Sequence, residues 1–183
     1  MEMSNTQLVP ASQERTWQAL NRPEILKACI PGCETIEKVS DTEYTLAMTA
    51  RVGPVSAKFK GRMRIEDVKP PESYTLVFEG QGGAAGFAKG GAKVRLAPED
   101  NGTRLSYTVN AQVGGKLAQI GSRLIDGAAK KMADDFFGAF VTELGGVPAG
   151  AEASARASPG KMRLWLWIGV GIAAIVILYL LAR

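Results

Sequence analysis

No histidine occurs anywhere in the 183 residues. That absence removes the commonest general base, proton shuttle and metal ligand together. Cysteine is nearly as scarce: two residues, Cys29 and Cys33, four positions apart. One such pair argues against a disulfide framework, and a zinc site built on it would find neither a second cysteine pair nor a histidine. A reactive thiol beside Glu34 would have no basic neighbour in sequence to lower its pKa; the plainer reading is a tight turn packed on a sheet through small sulfur side chains. The opening MEMSNTQLVP has no basic n-region and no apolar h-region, so no secretory signal is expected. No internal repeat is visible. Acid pairs exist at Glu66-Asp67 and Asp134-Asp135, but adjacent side chains diverge on a strand or helix, and neither makes an acid/base dyad. No serine or cysteine sits in an activating constellation. The expectation is a protein that is not an enzyme.

One long apolar run is present. Leu164–Ala182, LWLWIGVGIAAIVILYLLA, is nineteen residues without a charge. As a helix it would span roughly 28 Å, close to the hydrocarbon thickness of a bilayer. Trp165 and Trp167 stand at its entry and Tyr179 near its exit, where amphipathic rings favour the interfaces. A transmembrane helix is the expectation. The formal charge of +4 is unevenly placed: residues 1–150 carry 18 basic and 17 acidic residues, residues 151–183 carry 4 and 1. The basic balance therefore belongs to the membrane flank and says little about nucleic acid. Arg156, Lys161 and Arg163 precede the run and Arg183 alone follows it, which puts the preceding domain on the cytoplasmic side of the cytoplasmic membrane. Residues 145–163, rich in Gly, Ala, Ser and Pro, read as a linker with a basic flank; seventeen such residues average roughly 20–25 Å end to end. Residues 1–144 remain for one domain with a core.

Within that domain the hydrophobic period changes three times. Residues from about Glu2 to Pro10 form a first strand. Ser12 suits an N-cap for a helix over Gln13–Leu20, with Trp17 and Leu20 inward, and Pro23 suits the first turn of a second helix over Glu24–Ala28. From Thr35 to Val113 the period is two. Tyr44, Leu46, Met48 and Ala50 alternate with polar residues, as do Phe59, Gly61, Met63 and Ile65, then Leu76 and Phe78, then Ala92, Val94 and Leu96, then Leu105, Tyr107 and Val109. Val52-Gly53-Pro54, Lys69-Pro70-Pro71 and Pro98–Gly102 separate the runs. This describes an antiparallel meander with one buried and one wet face. After Gly114-Gly115 the period becomes helical: Leu117, Ile120, Leu124, Ala128, Met132, Phe136, Phe140 and Leu144 make one stripe about 28 residues long. Gly121, Gly127 and Gly138 weaken such a helix, and their retention predicts a close approach to the sheet. The layout is α+β, a sheet gripping its terminal helix.

Three stretches invite a functional reading. Gly80–Gly91 opens like a dinucleotide fingerprint at Gly80, Gly82 and Ala85, but a strand pattern follows where a helix is required. A flexible hairpin, or a flap over a cavity mouth tipped by Phe87, are the alternatives. Lys58, Lys60, Arg62 and Arg64 share one strand face, either simply solvated or a cationic stripe for an acidic partner or anionic headgroups. The inward positions Met48, Phe59, Met63, Leu76, Phe78 and Tyr107, faced by Met132 and Phe136, share their surface with Gly61, Ala50, Ala92, Ala111 and Ala128. They predict either an ordinary packed core or an incompletely filled apolar interior.

The stretches LNRPEILKACIPGCE (Leu20–Glu34), GGAAGFAKGGAKVRL (Gly82–Leu96) and GGKLAQIGSRLIDGAAKKMADDFF (Gly114–Phe137) resemble the CoxG family, the G subunits of carbon monoxide dehydrogenase. That family lies in the START-like, helix-grip superfamily. The resemblance covers about residues 2–144. It implies a curved antiparallel sheet of about seven strands wrapped on a long C-terminal helix, with a hydrophobic cavity between them. It also implies association with molybdenum-containing hydroxylases of the carbon monoxide dehydrogenase type, in a non-catalytic role tied to membrane attachment, with a quinone or lipid as the bound molecule and no covalent cofactor. Phe87 and residues 82–91 would gate the cavity. A purely structural adaptor with a filled core, docking through Lys58, Lys60, Arg62 and Arg64, is the alternative, and a cyclase-type enzyme, known in the superfamily, the less favoured one.

The apolar run carries its own test. The full chain is expected in the membrane fraction and to resist alkaline carbonate extraction, whereas a chain ending before Leu164 is expected in the supernatant. Extraction of the full chain by carbonate would overturn the transmembrane reading.

Overall fold

The seven strands form one antiparallel sheet in the order β1-β7-β6-β5-β4-β3-β2. The computed structural model describes residues 1–146; the expected linker beyond Gly146 and the Leu164–Ala182 span lie outside the described residues. Among the described residues no helix is long and apolar enough to cross a membrane. The strands are β1 (Glu2–Val9), β2 (Cys33–Lys38), β3 (Glu43–Val52), β4 (Val55–Lys69), β5 (Ser73–Gln81), β6 (Phe87–Glu99) and β7 (Gly102–Gly114). Strands β2 to β7 follow as a meander, and β1 returns to pair with β7 along its whole length, from Glu2 opposite Asn110 to Val9 opposite Thr103. The helices are α1 (Gln13–Leu20), α2 (Pro23–Cys29), α3 (Lys116–Gln119) and α4 (Ser122–Glu143). This arrangement is consistent with a helix-grip fold.

Local chemistry explains the boundaries. Ser12 caps α1, its hydroxyl accepting from the Arg15 amide at 3.3 Å, and Pro23 opens α2 where its missing N–H costs nothing. Side chains pin α1 to the sheet edge. Gln13 Nε2 donates to the Leu96 carbonyl at 3.0 Å, the Tyr44 hydroxyl donates to the Asn21 carbonyl at 3.2 Å, and the buried Thr103 hydroxyl donates to the Ala11 carbonyl at 2.7 Å. Trp17 meets Tyr74 edge to face at 5.5 Å.

The core gathers at one end. Val9, Leu20, Cys29, Tyr44, Leu96, Leu105, Phe137, Phe140 and Leu144 are buried together, with Phe140 fully enclosed. Burial of that ring alone contributes about 1.5–3 kcal/mol. The principal helical neighbour of α4 is α2, with β1 and β3 touching it as well.

Two expectations about the terminal helix are corrected. The 28-residue stripe is not one helix: Gly121, at φ +92°, separates α3 from α4, because a left-handed residue ends one helical turn and re-aims the next. The stripe also does not bury throughout, since Leu124 is 50% exposed. Nor do the helical glycines mark a close approach to the sheet. A Cβ placed on Gly127 or Gly138 would meet nothing within 4 Å. With space available and helix propensity favouring alanine, Gly127→Ala and Gly138→Ala are each expected to stabilise the fold by about 1 kcal/mol, raising Tm by about 2–4 °C in a thermal melt. A fall in Tm for both would refute the open-space reading.

Candidate functional site

The sheet pairing sorts every strand residue onto one of two faces. On the inner face Leu46 stands opposite Gly61 and Met48 opposite Phe59 across β3 and β4. Met63 pairs with Phe78 and Ile65 with Leu76 across β4 and β5. Val94 pairs with Tyr107 across β6 and β7. Met48, Phe59, Met63, Leu76, Phe78 and Tyr107 thus share the face toward α4, as their alternation predicts.

Burial along that face is uneven. Tyr107 is buried, its ring stacked on Phe137 at 5.1 Å, and Phe136 lies edge-on to Phe137 at 5.0 Å. Leu76, Met63 and Phe136 pack on the rim of the core, whereas Met48, Phe59, Phe78 and Met132 lie outside it and stay half-buried. The aromatic C-terminal half of α4 closes one end of the sheet; the N-terminal half, with Ala128, Ala129 and Met132, leaves the other end loosely covered. Three elements rim this end. A methyl placed on Gly53, at the tip between β3 and β4, would lie 3.5 Å from Cδ1 of Leu124, so the start of α4 reaches that hairpin. The third element is the turn between β5 and β6, a 3-10 turn at Gly83–Ala85.

That turn is docked rather than free-standing. A Cβ on Gly86, at φ +114°, would overlap the Gly114 carbonyl, so Gly86 and Gly115 can meet backbone to backbone only because both lack side chains. The Phe59 ring lies where a Cβ on Gly82 would be.

Phe87 is the site residue that the structure moves. Its pairing with Gln81 and Gly114 puts it on the outer face, its ring over the position of a Gly114 Cβ and 6.0 Å from the Lys89 ammonium. It does not tip a flap over the inner face. The signal was present in sequence: extending the alternation of Ala92, Val94 and Leu96 backward puts Gly90 and Ala88 inside and Phe87 outside.

Two hollows accompany these faces. An open groove of about 810 Å³ lies on the outer face, bordered by Arg62, Arg64, Glu79, Lys89, Asn110 and Gln112. A recess of about 260 Å³ lies between β1 and α4, where Asn5, Tyr107, Lys130 and Asp134 converge. Burial raises the Tyr107 phenol above its ordinary range. The acid pair at Asp134-Asp135 is absorbed by helix neighbours: Lys130 and Asp134 pair at 2.8 Å, Lys131 and Asp135 at 2.6 Å.

Lys58, Lys60, Arg62 and Arg64 share the outer face of β4, as their spacing predicts. Lys58 pairs with Glu34 at 2.5 Å, and Thr49 donates to the same carboxylate at 2.8 Å; these two hydrogen bonds hold Glu34 below the usual carboxylate range. Arg64 pairs with Glu66 at 3.3 Å. Among the described residues Lys60 and Arg62 have no carboxylate within 4.0 Å.

Known proteins share this fold and much of its sequence. Residues 6–145 match the family described as the G subunit of carbon monoxide dehydrogenase (CoxG). A crystal structure of a conserved protein from Geobacillus kaustophilus is similar at 33% identity and TM-score 0.75, covering 79% of this chain and 95% of that one. A Thermus thermophilus protein is similar at 16% identity and TM-score 0.60, covering 79% of this chain and 97% of that one. For a Mycobacterium smegmatis protein the values are 19% and 0.58, with 78% and 90% covered. These last two speak to the fold alone. No protein of curated function matches the chain.

The cysteines give the site's chemical prediction. Cys29 is buried, and burial together with the Glu143 carboxylate pushes its thiol up to about 11; burial also raises Cys33, which is partly exposed. At pH 8 about one Cys29 in a thousand is thiolate. A disulfide-exchange reagent is therefore expected to find at most one thiol in the folded chain and two in denaturant. Rapid modification of both thiols in the native protein would contradict this packing.

Proposed function

The chain belongs to the CoxG family, the G subunits of carbon monoxide dehydrogenase, and from that membership we propose that it is a non-catalytic accessory protein of a molybdenum-containing carbon monoxide dehydrogenase or a related hydroxylase. It takes up a hydrophobic small molecule, a quinone or a lipid, between the inner face of the sheet and the N-terminal half of α4. Leu164–Ala182 and its basic flank hold the domain at the cytoplasmic face of the membrane, within linker reach of the lipid.

The observation that carries this reading is the uneven burial of one apolar face. Met48, Phe59, Phe78 and Met132 keep solvent access, while Phe137, Phe140 and Leu144 close the opposite end. Large apolar side chains left half-open beside small ones favour an apolar guest, each Å² removed from water contributing about 25 cal/mol. Such a guest needs little polar help, and the recess at Asn5 and Tyr107 offers hydrogen-bonding groups near the same helix. Electron or substrate chemistry then resides in the partner enzyme, and this chain supplies binding and position.

The full chain, purified from membranes and examined by native mass spectrometry with organic extraction, is expected to carry or take up one quinone or lipid. Met132→Trp, which fills the loosely covered end, is expected to abolish uptake while leaving Tm unchanged or higher. A chain that binds neither quinone nor lipid, before or after addition, would leave the adaptor with a filled interior as the better reading.

A further inference from the structure

The outer face of the sheet offers a second surface that the interior does not use. Sheet pairing joins the β4 cations to a second row on β6. Lys89 stands opposite Glu79, Lys93 opposite Thr75 and Arg95 opposite Ser73, and Glu79 and Thr75 in turn stand opposite Arg62 and Glu66. The two cationic rows are two strand spacings apart, about 10 Å, with about 7 Å between successive charges along each strand. Across the facing stretches of β4, β5 and β6 there are seven cations, the four of β4 and these three of β6. Among the described residues of those stretches only two carboxylates, Glu66 and Glu79, share that area. Among the described residues Lys60, Arg62, Lys89, Lys93 and Arg95 have no carboxylate within 4.0 Å. The groove of about 810 Å³ runs between the rows, from Arg62 and Arg64 to Lys89 and Gln112.

We propose that this groove is a docking surface for an acidic, convex segment of a partner protein. Charge selects the sign of the partner, because unpaired cations at this density attract and orient an acidic surface. Shape selects its class. A concave groove receives a protruding loop or helix, whereas a bilayer is flat and would bridge over it. Asn110 and Gln112 on its far wall supply amide groups suited to peptide carbonyls and N–H groups. A nucleic acid strand would require stacking platforms, and Phe87 is the only aromatic side chain on the outer face of these three strands. This docking surface stands or falls separately from ligand uptake in the interior.

The test uses the full chain in detergent micelles and a fluorescently labelled oligoglutamate peptide, read by anisotropy. Arg62→Glu/Lys89→Glu is expected to weaken binding at least about tenfold. The charge-conserving Arg62→Lys/Lys89→Arg is expected to stay close to wild type, which separates charge from folding. Reversal at a distance, Arg15→Glu/Lys27→Glu, is expected to retain most of the affinity. The same groove reversal is expected to leave flotation with vesicles of equal parts phosphatidylcholine and phosphatidylglycerol unchanged. Peptide binding that survives the groove reversal overturns the proposal. So does a groove reversal that abolishes vesicle binding while sparing the peptide, which would assign the face to anionic lipid. Loss of ligand uptake without loss of peptide binding would count against the interior reading only.

Discussion

The packing of the last turns of α4 against one end of a twisted sheet is the contact on which the rest depends. Phe137, Phe140, Val141 and Leu144 are buried there with α2 and residues of β1, β3, β6 and β7. A helix of 22 residues is about 33 Å long, more than a single compact core can cover. Anchoring it firmly at its C-terminal end therefore leaves its other end to cross the sheet with smaller side chains. The closed end supplies stability; the open end supplies the site.

That division explains where the small residues fall. Ala128, Ala129 and the glycines of α4 lie away from the core, and the space beside Gly127 and Gly138 is open. A helix composed this way loses intrinsic stability, which tertiary packing at its far end must supply. The glycines of the β5–β6 turn serve the opposite purpose. Gly86 and Gly115 let two backbones touch, fixing the turn at the rim of the loosely covered end. Small residues thus make room in one element and permit contact in another.

The two faces of the sheet divide the chemistry in the same way. The inner face is apolar and unevenly filled, suited to a hydrophobic guest. The outer face is cationic and grooved, suited to an acidic protein surface. A family defined by its association with carbon monoxide dehydrogenase has use for both: one face to hold a molecule from the membrane, the other to hold the enzyme that uses it.

Much of this was legible in the residues alone. Period-two alternation from Thr35 to Val113, broken by Gly and Pro, determines the strands and which side chains share a face, because successive residues on a strand must point opposite ways. Ser12, Pro23 and the Gly114-Gly115 pair mark element ends for equally local reasons. The absence of histidine and the apolar run at Leu164–Ala182 are likewise properties of sequence. What needed the tertiary structure was anything that depends on packing between elements. Gly121 breaks the terminal stripe because its backbone turns left-handed, a choice composition does not force. Phe87 falls on the outer face because strand register, not its apolar character, decides its direction. The cations of β4 and β6 become one surface only when the strand order brings them within two spacings of each other, and the open end of the interior exists only because α4 is held at the other.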